Sequence, residues 1–341
     1  MRETELKTQL VWNKGIAALC DCRFPDEFPD GQKYISVPDL AGALFSSALP
    51  DNLIPASSLQ YGIRDGELVW VRLSWLRSFI RQVLPLAQSR FVLVTGDSDS
   101  CVPGELGSEA RKILESPKVI RWFAQNYDGS YAPDRISPVP IGIDFHMLAE
   151  RPIWGENAAS PAHQEEVLQS VRSSLAPVKN RTPKVYVDFA WQRGFGLLNY
   201  RRYHPLRGTK FRESRRKIVQ NVRKNESVIC QTRPLPRTEM WRERGRYAFV
   251  LSPHGMGLDC HRTWEALALG HIVLVPSSSL DPLFAGLPVI PIKSWDDINP
   301  ENVEAWLALY ADGQETNEKL GSRYWINRMR SVASARVSTL P

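Results

Sequence analysis

The stretch Tyr247–Pro276, YAFVLSPHGMGLDCHRTWEALALGHIVLVP, constrains the fold more than any other part of the chain. Tyr247–Leu251 is a continuous apolar run, which suits a strand buried on both faces. A turn follows at Ser252-Pro253-His254-Gly255-Met256-Gly257. Asp259 is placed to cap a helix that runs to Gly270, where glycine ends it. Ile272–Val275 is a second buried strand. Strand, loop, helix and strand make a βαβ crossover, which is right-handed in nearly all cases. Ligands of such sheets lie beyond the carboxyl ends of the strands. Ser252–Gly257 and the first helical turn are therefore the predicted binding site.

The start of that helix carries the chemistry. A helix N-terminus has unpaired N–H groups and about half a positive charge. His261 and Arg262 add cationic groups to the first turn, against the dipole. A broken local rule often marks a functional site. A bound anion, such as a nucleotide diphosphate, would resolve the conflict. Gly255 and Gly257 let the backbone approach such a ligand closely. Glu265 lies one turn beyond Arg262 and is placed to accept hydrogen bonds from ribose hydroxyls. A structural Arg262–Glu265 pair at i,i+3 is the alternative.

The run FVLSPHGMGLDCHRTWEALALGHIVLVPSSSLDPLFAGLPVI resembles the donor-binding half of exostosin-like glycosyltransferases, a GT-B family. The shared pattern is an apolar strand, a Pro-x-Gly loop, an Asp, then Arg and an acidic residue on a helix, then Gly-x-(Ile/Val)-Pro-Val. The match is close over this run and loose in the N-terminal half. His271-Ile272-Val273-Leu274 departs from the Cys-Ile-Pro-Val of many relatives, a difference of packing more than of chemistry. The resemblance implies an α/β chain of GT-B architecture, two Rossmann-like domains facing across a cleft. It implies an inverting transfer of a sugar from a nucleotide-sugar donor, UDP-sugar favoured, to a glycan hydroxyl, as in polysaccharide biosynthesis. No cofactor beyond the donor and no metal are expected.

At 341 residues the chain is long enough for two domains. No run approaches the length of a membrane span. The polar opening MRETELKTQLVWNKG lacks the apolar core of a signal peptide, so a cytoplasmic protein, or a domain of a longer one, is expected. Five cysteines, odd in number and scattered, argue against a disulfide framework. Cys20-Asp-Cys22 is too tight for a zinc knuckle and has no second pair. The net charge of +6 suits an anionic ligand or peripheral contact with an anionic membrane face.

Strands and helices alternate along the chain, the mark of a doubly wound α/β fold. Residues 1–176 form the expected N-terminal, acceptor-side domain. Its predicted strands are Ile16–Asp21, Lys33–Val37, Leu68–Leu73, Phe91–Thr95, Val119–Ala124 and Ser137–Asp144. Helices are predicted at Pro38–Leu49, Ser74–Ala87 and Leu106–Glu115, with a loop at Phe24–Gly31. After a helix at Glu165–Leu175, the Pro177–Pro183 stretch is the linker candidate. Residues 177–320 are the expected nucleotide-sugar domain. Residues 321–341 carry a last helix, expected to pack back on the first domain.

Gly96-Asp97-Ser98-Asp99-Ser100 follows a buried strand and is the second candidate site. Inversion needs a base within reach of the acceptor hydroxyl. Asp99 is the first choice and Asp97 the second, although Asp and Ser are also plain turn formers. In GT-A transferases an Asp-x-Asp after a strand holds a metal. The donor motif in the second half assigns these aspartates to the acceptor side instead. Arg233 and His254 are placed to reach the diphosphate, as is His146. Arg201–Lys224 holds ten Lys or Arg and one Glu. It reads as a solvated basic helix or as a wall that attracts an anionic ligand. Nucleic-acid binding would want more stacking aromatics than Tyr200, Tyr203 and Phe211, so no nucleic-acid partner is expected. Two rivals stay open. One is a fucosyltransferase-like enzyme using a GDP-sugar, whose usual Lys and Glu-Asn signature is not found here. The other is a non-enzymatic sugar- or nucleic-acid-binding protein on the same fold.

Overall fold

Among the described residues, ten strands form two sheets, and every neighbouring pair in both is parallel. The computed structural model describes residues 7–24, 62–189, 207–211, 213–311 and 317–335. The first sheet holds β1 (Cys22–Phe24), β2 (Leu68–Arg72), β3 (Phe91–Gly96), β4 (Val119–Ala124) and β5 (Ile136–Pro138), in that spatial order. The second holds β6 (Thr182–Val187), β7 (Val228–Cys230), β8 (Tyr247–Leu251), β9 (Ile272–Pro276) and β10 (Val289–Ile292), in the order β10-β9-β8-β6-β7. Counted from β6, that is the 2-1-3-4-5 winding, whose switch point lies between β6 and β8. β3 is buried along its whole length, as a parallel strand covered on both faces must be.

The helices are α1 (Asn13–Leu19), α2 (Leu76–Gln82), α3 (Ser108–Glu115), α4 (His146–Glu150), α5 (Pro161–Ser174), α6 (Arg215–Val222), α7 (Arg237–Arg244), α8 (His261–Ala268), α9 (Pro300–Leu309) and α10 (Ser322–Ala335). The fold is thus α/β with two Rossmann-like units, the GT-B arrangement. Their carboxyl edges meet where loops after β3 and β4 touch the loop after β8.

The strand expected at Ile16–Asp21 is instead the end of α1, and β1 begins at Cys22. Ala17, Ala18 and Leu19 are strong helix formers, and a short apolar run cannot be told from a buried helix by pattern alone. The loop expected at Phe24–Gly31 lies outside the described residues beyond Phe24. So do the strand at Lys33–Val37, the helix at Pro38–Leu49, Tyr200, Tyr203 and the start of the basic run. The Pro177–Pro183 stretch is tied down through Arg181. Its guanidinium donates to Ala176 O at 2.8 Å and to Leu269 O, at the end of α8, at 3.1 Å.

One apolar core runs through both units, from Trp70 and Trp122 to Val250, Trp264 and Phe284. α10 packs on β3 and β4 and on α1. Its Trp325 meets Trp264 of α8 edge to face, with ring centroids 6.5 Å apart. Burying side chains of this size contributes roughly 1.5–3 kcal/mol each. Near the start of the chain, Gln9 and Leu10 donate their N–H groups to Glu165 of α5, and Val11 donates to Leu320 O at 2.7 Å. A smaller apolar cluster, with Phe249, Ile218 and Val303, covers the other side of the second sheet. Among the described residues, no helix is long and apolar enough to cross a membrane.

Candidate functional site

The switch point of the second sheet sits between the ends of β6 and β8. Asp188 follows β6, and Ser252 follows β8. Ser252 Oγ lies 2.9 Å from Thr263 Oγ1, which ties the loop to the first turn of α8. Cys260, not Asp259, occupies the N-cap position, and it makes no side-chain cap. The Asp259 carboxylate turns to the first unit instead, accepting from Ile141 N at 2.8 Å and from Trp264 Nε1 at 2.9 Å. Burial pushes its carboxyl up to about 6, against those hydrogen bonds. At the far end of α8, Gly270 adopts φ 73°. Gly270 N donates to Leu267 O and His271 N to Ala266 O, the paired bonds of a Schellman stop.

The loop itself is braced from inside. His254 Nδ1 lies 2.8 Å from Leu258 O and its Nε2 3.2 Å from Thr209 Oγ1. Pro253 O accepts from Cys260 Sγ at 3.4 Å. Gly257 lies so close to Asn126 that a Cβ there would overlap the amide. Asn126 Oδ1 accepts from Asp259 N at 2.9 Å, and Asn126 Nδ2 donates to Ser98 O at 3.0 Å. One asparagine thus fastens both candidate loops.

The cationic first turn is answered within the chain. Arg262 Nε donates to Asp188 Oδ1 at 2.9 Å, and the guanidinium lies over Phe189. Asp188 is 1% exposed and also pairs with Arg244, whose Nε is 2.7 Å from Oδ2. His261 Nδ1 lies 2.7 Å from Gly142 O, so its proton sits on Nδ1. Burial holds that imidazole below its ordinary value, against the pull of Asp144. The predicted conflict with the dipole is therefore settled in part by a carboxylate from β6 and by a neutral histidine.

A second guanidinium stands beside the first. Arg215, at the start of α6, reaches Gly255: a Cβ at that glycine would stand 3.3 Å from Arg215 Nη2. Burial lowers its pKa and the charge of Arg262 lowers it further, while Cys260 and Asp99 act the other way. α6 has Ile218 and Val222 on its buried side. Arg215, within the basic run, is a site residue that sequence reading did not single out. Asp188 is another. Arg233 is exposed after β7, and its carbonyl accepts from Gln231 Nε2 at 2.5 Å.

Glu265 does not pair with Arg262. Its Oε1 accepts from Arg237 Nη2 at 2.5 Å and its Oε2 from Trp241 Nε1 at 3.3 Å, and its side chain is 10% exposed. Arg237 lies between the rings of Trp154 and Trp241, 4.7 Å from each centroid. It also donates to Gln164 Oε1 at 2.8 Å and to Asp144 O at 2.7 Å. Arg237 carries no pairing signal along the chain, because its partners Asp144, Gln164 and Glu265 come from three separate segments.

At the edge of the first sheet, Asp97 and Asn126 both take left-handed φ, 58° and 56°. Such conformations persist only where surroundings impose them. Gln125 does so here, accepting from Asp97 N at 3.1 Å and donating to Ser98 O at 2.9 Å. The Asp97 carboxylate pairs with Lys14 of α1 and, at 2.8 Å, with Arg72 Nε. Burial opposes its charge, but Lys14 and Arg72 hold it below the usual carboxylate value. Burial in turn lowers Lys14 to about 8, against the attraction of Asp97. Asp99 is exposed and close enough to Arg215 and Cys260 to act on both charges.

Between these two edges stand Asp144, His146 and His261, with ligand-capable atoms within 4.8 Å of one another. His146 Nδ1 is 3.0 Å from Asp144 Oδ1, which also accepts from Met147 N at 3.1 Å. The two imidazole centroids are 5.5 Å apart. Burial opposes the charge of Asp144, yet His146, His261 and Arg237 hold its carboxyl well below the usual range. The sequence reading of 137–144 as one short strand hid this group: β5 stops at Pro138, and the chain then turns at Gly142, φ 70°.

No family model matches the chain, and no curated protein matches it in sequence. Solved structures similar to it include one titled trehalose-6-phosphate from E. coli bound with UDP-2-fluoro glucose. That similarity has TM-score 0.35 and 9% identity over 81% of this chain and 75% of that one. An alpha,alpha-trehalose-phosphate synthase (UDP-forming) from Burkholderia vietnamiensis gives TM-score 0.36 and 11% identity over 84% and 77% of the two chains. An alpha-glucosyltransferase in complex with UDP and a 13-mer DNA containing a central A:G mismatch gives 0.31 and 11% over 78% and 74%.

Proposed function

We propose that the chain is a glycosyltransferase that moves a sugar from a nucleotide-sugar, a UDP-sugar first, to a glycan hydroxyl. The observation that carries this reading is the pair Arg215 and Arg262, close enough for their charges to oppose each other, with Arg215 against Gly255 and Arg262 at the start of α8 by the switch point of the second sheet. Two half-buried guanidiniums repel each other, and a diphosphate between them turns that repulsion into binding. Asp188 fixes Arg262 through Nε, which points the terminal nitrogens elsewhere. The donor phosphates rest against Ser252–Gly257 and the start of α8. Arg262 and Arg215 offset the charge that grows on the leaving diphosphate in the transition state. Glu265 has two acceptor sites filled by Arg237 and Trp241 and capacity left for ribose hydroxyls. The choice of UDP among the bases follows from the resemblance of the Phe249–Ile290 stretch to exostosin-like enzymes. With two guanidiniums on the diphosphate, transfer proceeds without a metal.

Thermal melting with UDP, GDP, CMP and ADP tests the reading. A ligand at a hundred times its Kd adds about 2.7 kcal/mol. UDP should raise the melting temperature most. A larger shift with GDP would favour the fucosyltransferase-like alternative. If none of the four shifts melting at millimolar concentration, the donor-site reading is wrong.

A further inference from the structure

We infer that Asn126 is a positioning residue for sugar transfer: its side-chain amide sets the loop that carries Asp97 and Asp99 against the donor loop. This rests on the transferase reading above. The amide is fully buried where the carboxyl edges of the two sheets meet. Its oxygen accepts from Asp259 N at 2.9 Å, one residue before the N-cap of α8. Its nitrogen donates to Ser98 O at 3.0 Å, between the two aspartates. One side chain therefore spans from the donor helix to the loop expected on the acceptor side.

The backbone is arranged for that reach. Asn126 lies two residues past the end of β4 and takes φ 56°. Neighbouring side chains of an extended strand point to opposite faces. Here the left-handed turn lets Gln125 Nε2 and Asn126 Nδ2 both donate to Ser98 O, at 2.9 and 3.0 Å. Asn is one of the few residues with a side chain that enter this region at little cost. The main chain is fixed as well, since Asn126 O accepts from Val102 N at 2.9 Å. On the donor side, the missing Cβ of Gly257 makes the room that the amide occupies.

The link is separable from the shape of either loop. In the first unit, Gln125 also accepts from Asp97 N at 3.1 Å, so it braces the acceptor-side loop by itself. In the second, Ser252 Oγ meets Thr263 Oγ1 and His254 Nδ1 meets Leu258 O. The Asp259 carboxylate keeps its own bond from Ile141 N. Without the Asn126 amide each loop keeps its form, and their spacing is what is lost. Asp99 follows Ser98 directly and acts on the charges of Arg215 and Cys260, so a shift of Ser98 moves it against the diphosphate arginines. Transfer between groups held on two units depends on that spacing, and a misplacement of about 1 Å costs up to about 100-fold.

The test measures UDP release from UDP-glucose, UDP-galactose and UDP-N-acetylglucosamine, together with UDP affinity by calorimetry. It compares wild type, Asn126→Gly, Gly257→Ala and the double variant. Glycine accepts the same φ and removes both hydrogen bonds of the amide. Asn126→Gly should lower kcat about 10- to 100-fold. Its UDP affinity should stay near wild type, which also shows that the variant folds. Gly257→Ala should give the same split, because its methyl displaces the amide from the donor side. The double variant should be no slower than Asn126→Gly alone, since no amide is left to displace. Additive losses would mean two independent defects of structure and overturn the inference. So would wild-type kcat in Asn126→Gly, or a loss of UDP affinity as large as the loss of turnover. If Asn126→Gly does not fold, the split in Gly257→Ala decides in its place. If wild type does not bind UDP, the donor reading falls and this inference with it. If UDP binds but none of the three sugars turns over, hydrogen exchange decides. UDP should slow exchange across residues 252–260 in wild type and Asn126→Gly alike, but across 97–102 in wild type alone. Equal slowing across 97–102 overturns the inference and leaves the donor site standing.

Discussion

The carboxylate of Asp188 accepts from Arg262 Nε at 2.9 Å across the switch point of the second sheet. Its second oxygen is occupied by Arg244, itself fully buried. Removing one partner of a buried charge network strands the others, at about 3–5 kcal/mol. Asp188→Asn should therefore lower unfolding free energy by that amount in urea. It should also weaken UDP binding, since Arg262 loses its anchor. A variant with wild-type stability would mean that water already screens this network.

Arg215 and Arg262 should separate stability from function. A charge-assisted hydrogen bond is worth about 1.5–3 kcal/mol, so Arg215→Ala or Arg262→Ala should weaken UDP binding by about 10- to 150-fold. Arg215→Ala should leave the ligand-free protein as stable as wild type or more so, because the repulsion from Arg262 is relieved. Calorimetric titration and melting on the same samples check both halves. Retained affinity in both variants would remove the diphosphate from this loop.

Much of the second unit is legible in the chain. β8 and β9 are uninterrupted apolar runs, and Gly270 announces the end of α8. Periodicity and turn chemistry are local properties, so they survive in one dimension. The partners of the charged residues do not. Asp188 is 74 positions from Arg262, and Arg237 is 93 from the Asp144 carbonyl. Nothing in their spacing says which will meet. The apolar run of α1 is as short as a strand, so its pattern alone does not tell the two apart. Asp144 and His146 stand two apart in the chain, but nothing in that spacing says that the strand stops at Pro138 or that His261 of α8 will stand beside them.

Asp97 gives a pH-dependent prediction. Its folded pKa is depressed, so its contribution is fully present above the unfolded value near 3.9. The contribution is lost as pH falls through the folded value. Asp97→Asn should thus be destabilised at pH 7, by about 3–5 kcal/mol for a broken buried pair. The gap from wild type should narrow as pH drops below about 4. Urea melts at pH 7, 5 and 3 measure it. A gap that stays constant with pH would show that the charge of Asp97 is not what matters.

Glu265→Gln tests a residue with two duties. Gln keeps an acceptor but loses the charge that balances Arg237 between its two tryptophans. Stability should fall by about 3–5 kcal/mol. UDP affinity should fall as well, while inorganic pyrophosphate, which lacks ribose, should bind as in wild type. Equal losses for UDP and pyrophosphate would mean that Glu265 serves the fold alone.

α10 lies on β3 and β4 but comes after every strand of the second sheet in the chain. During synthesis the first sheet therefore emerges from the ribosome with one face uncovered. It stays so while the whole second unit is being made. β3 and β4 wait for the helix that carries Trp325, Ile326 and Met329 into the same core. Long-range closure of this kind is slow and leaves apolar surface open to other chains. α10 is thus the latch that completes the first unit, and it arrives only after the second unit's strands.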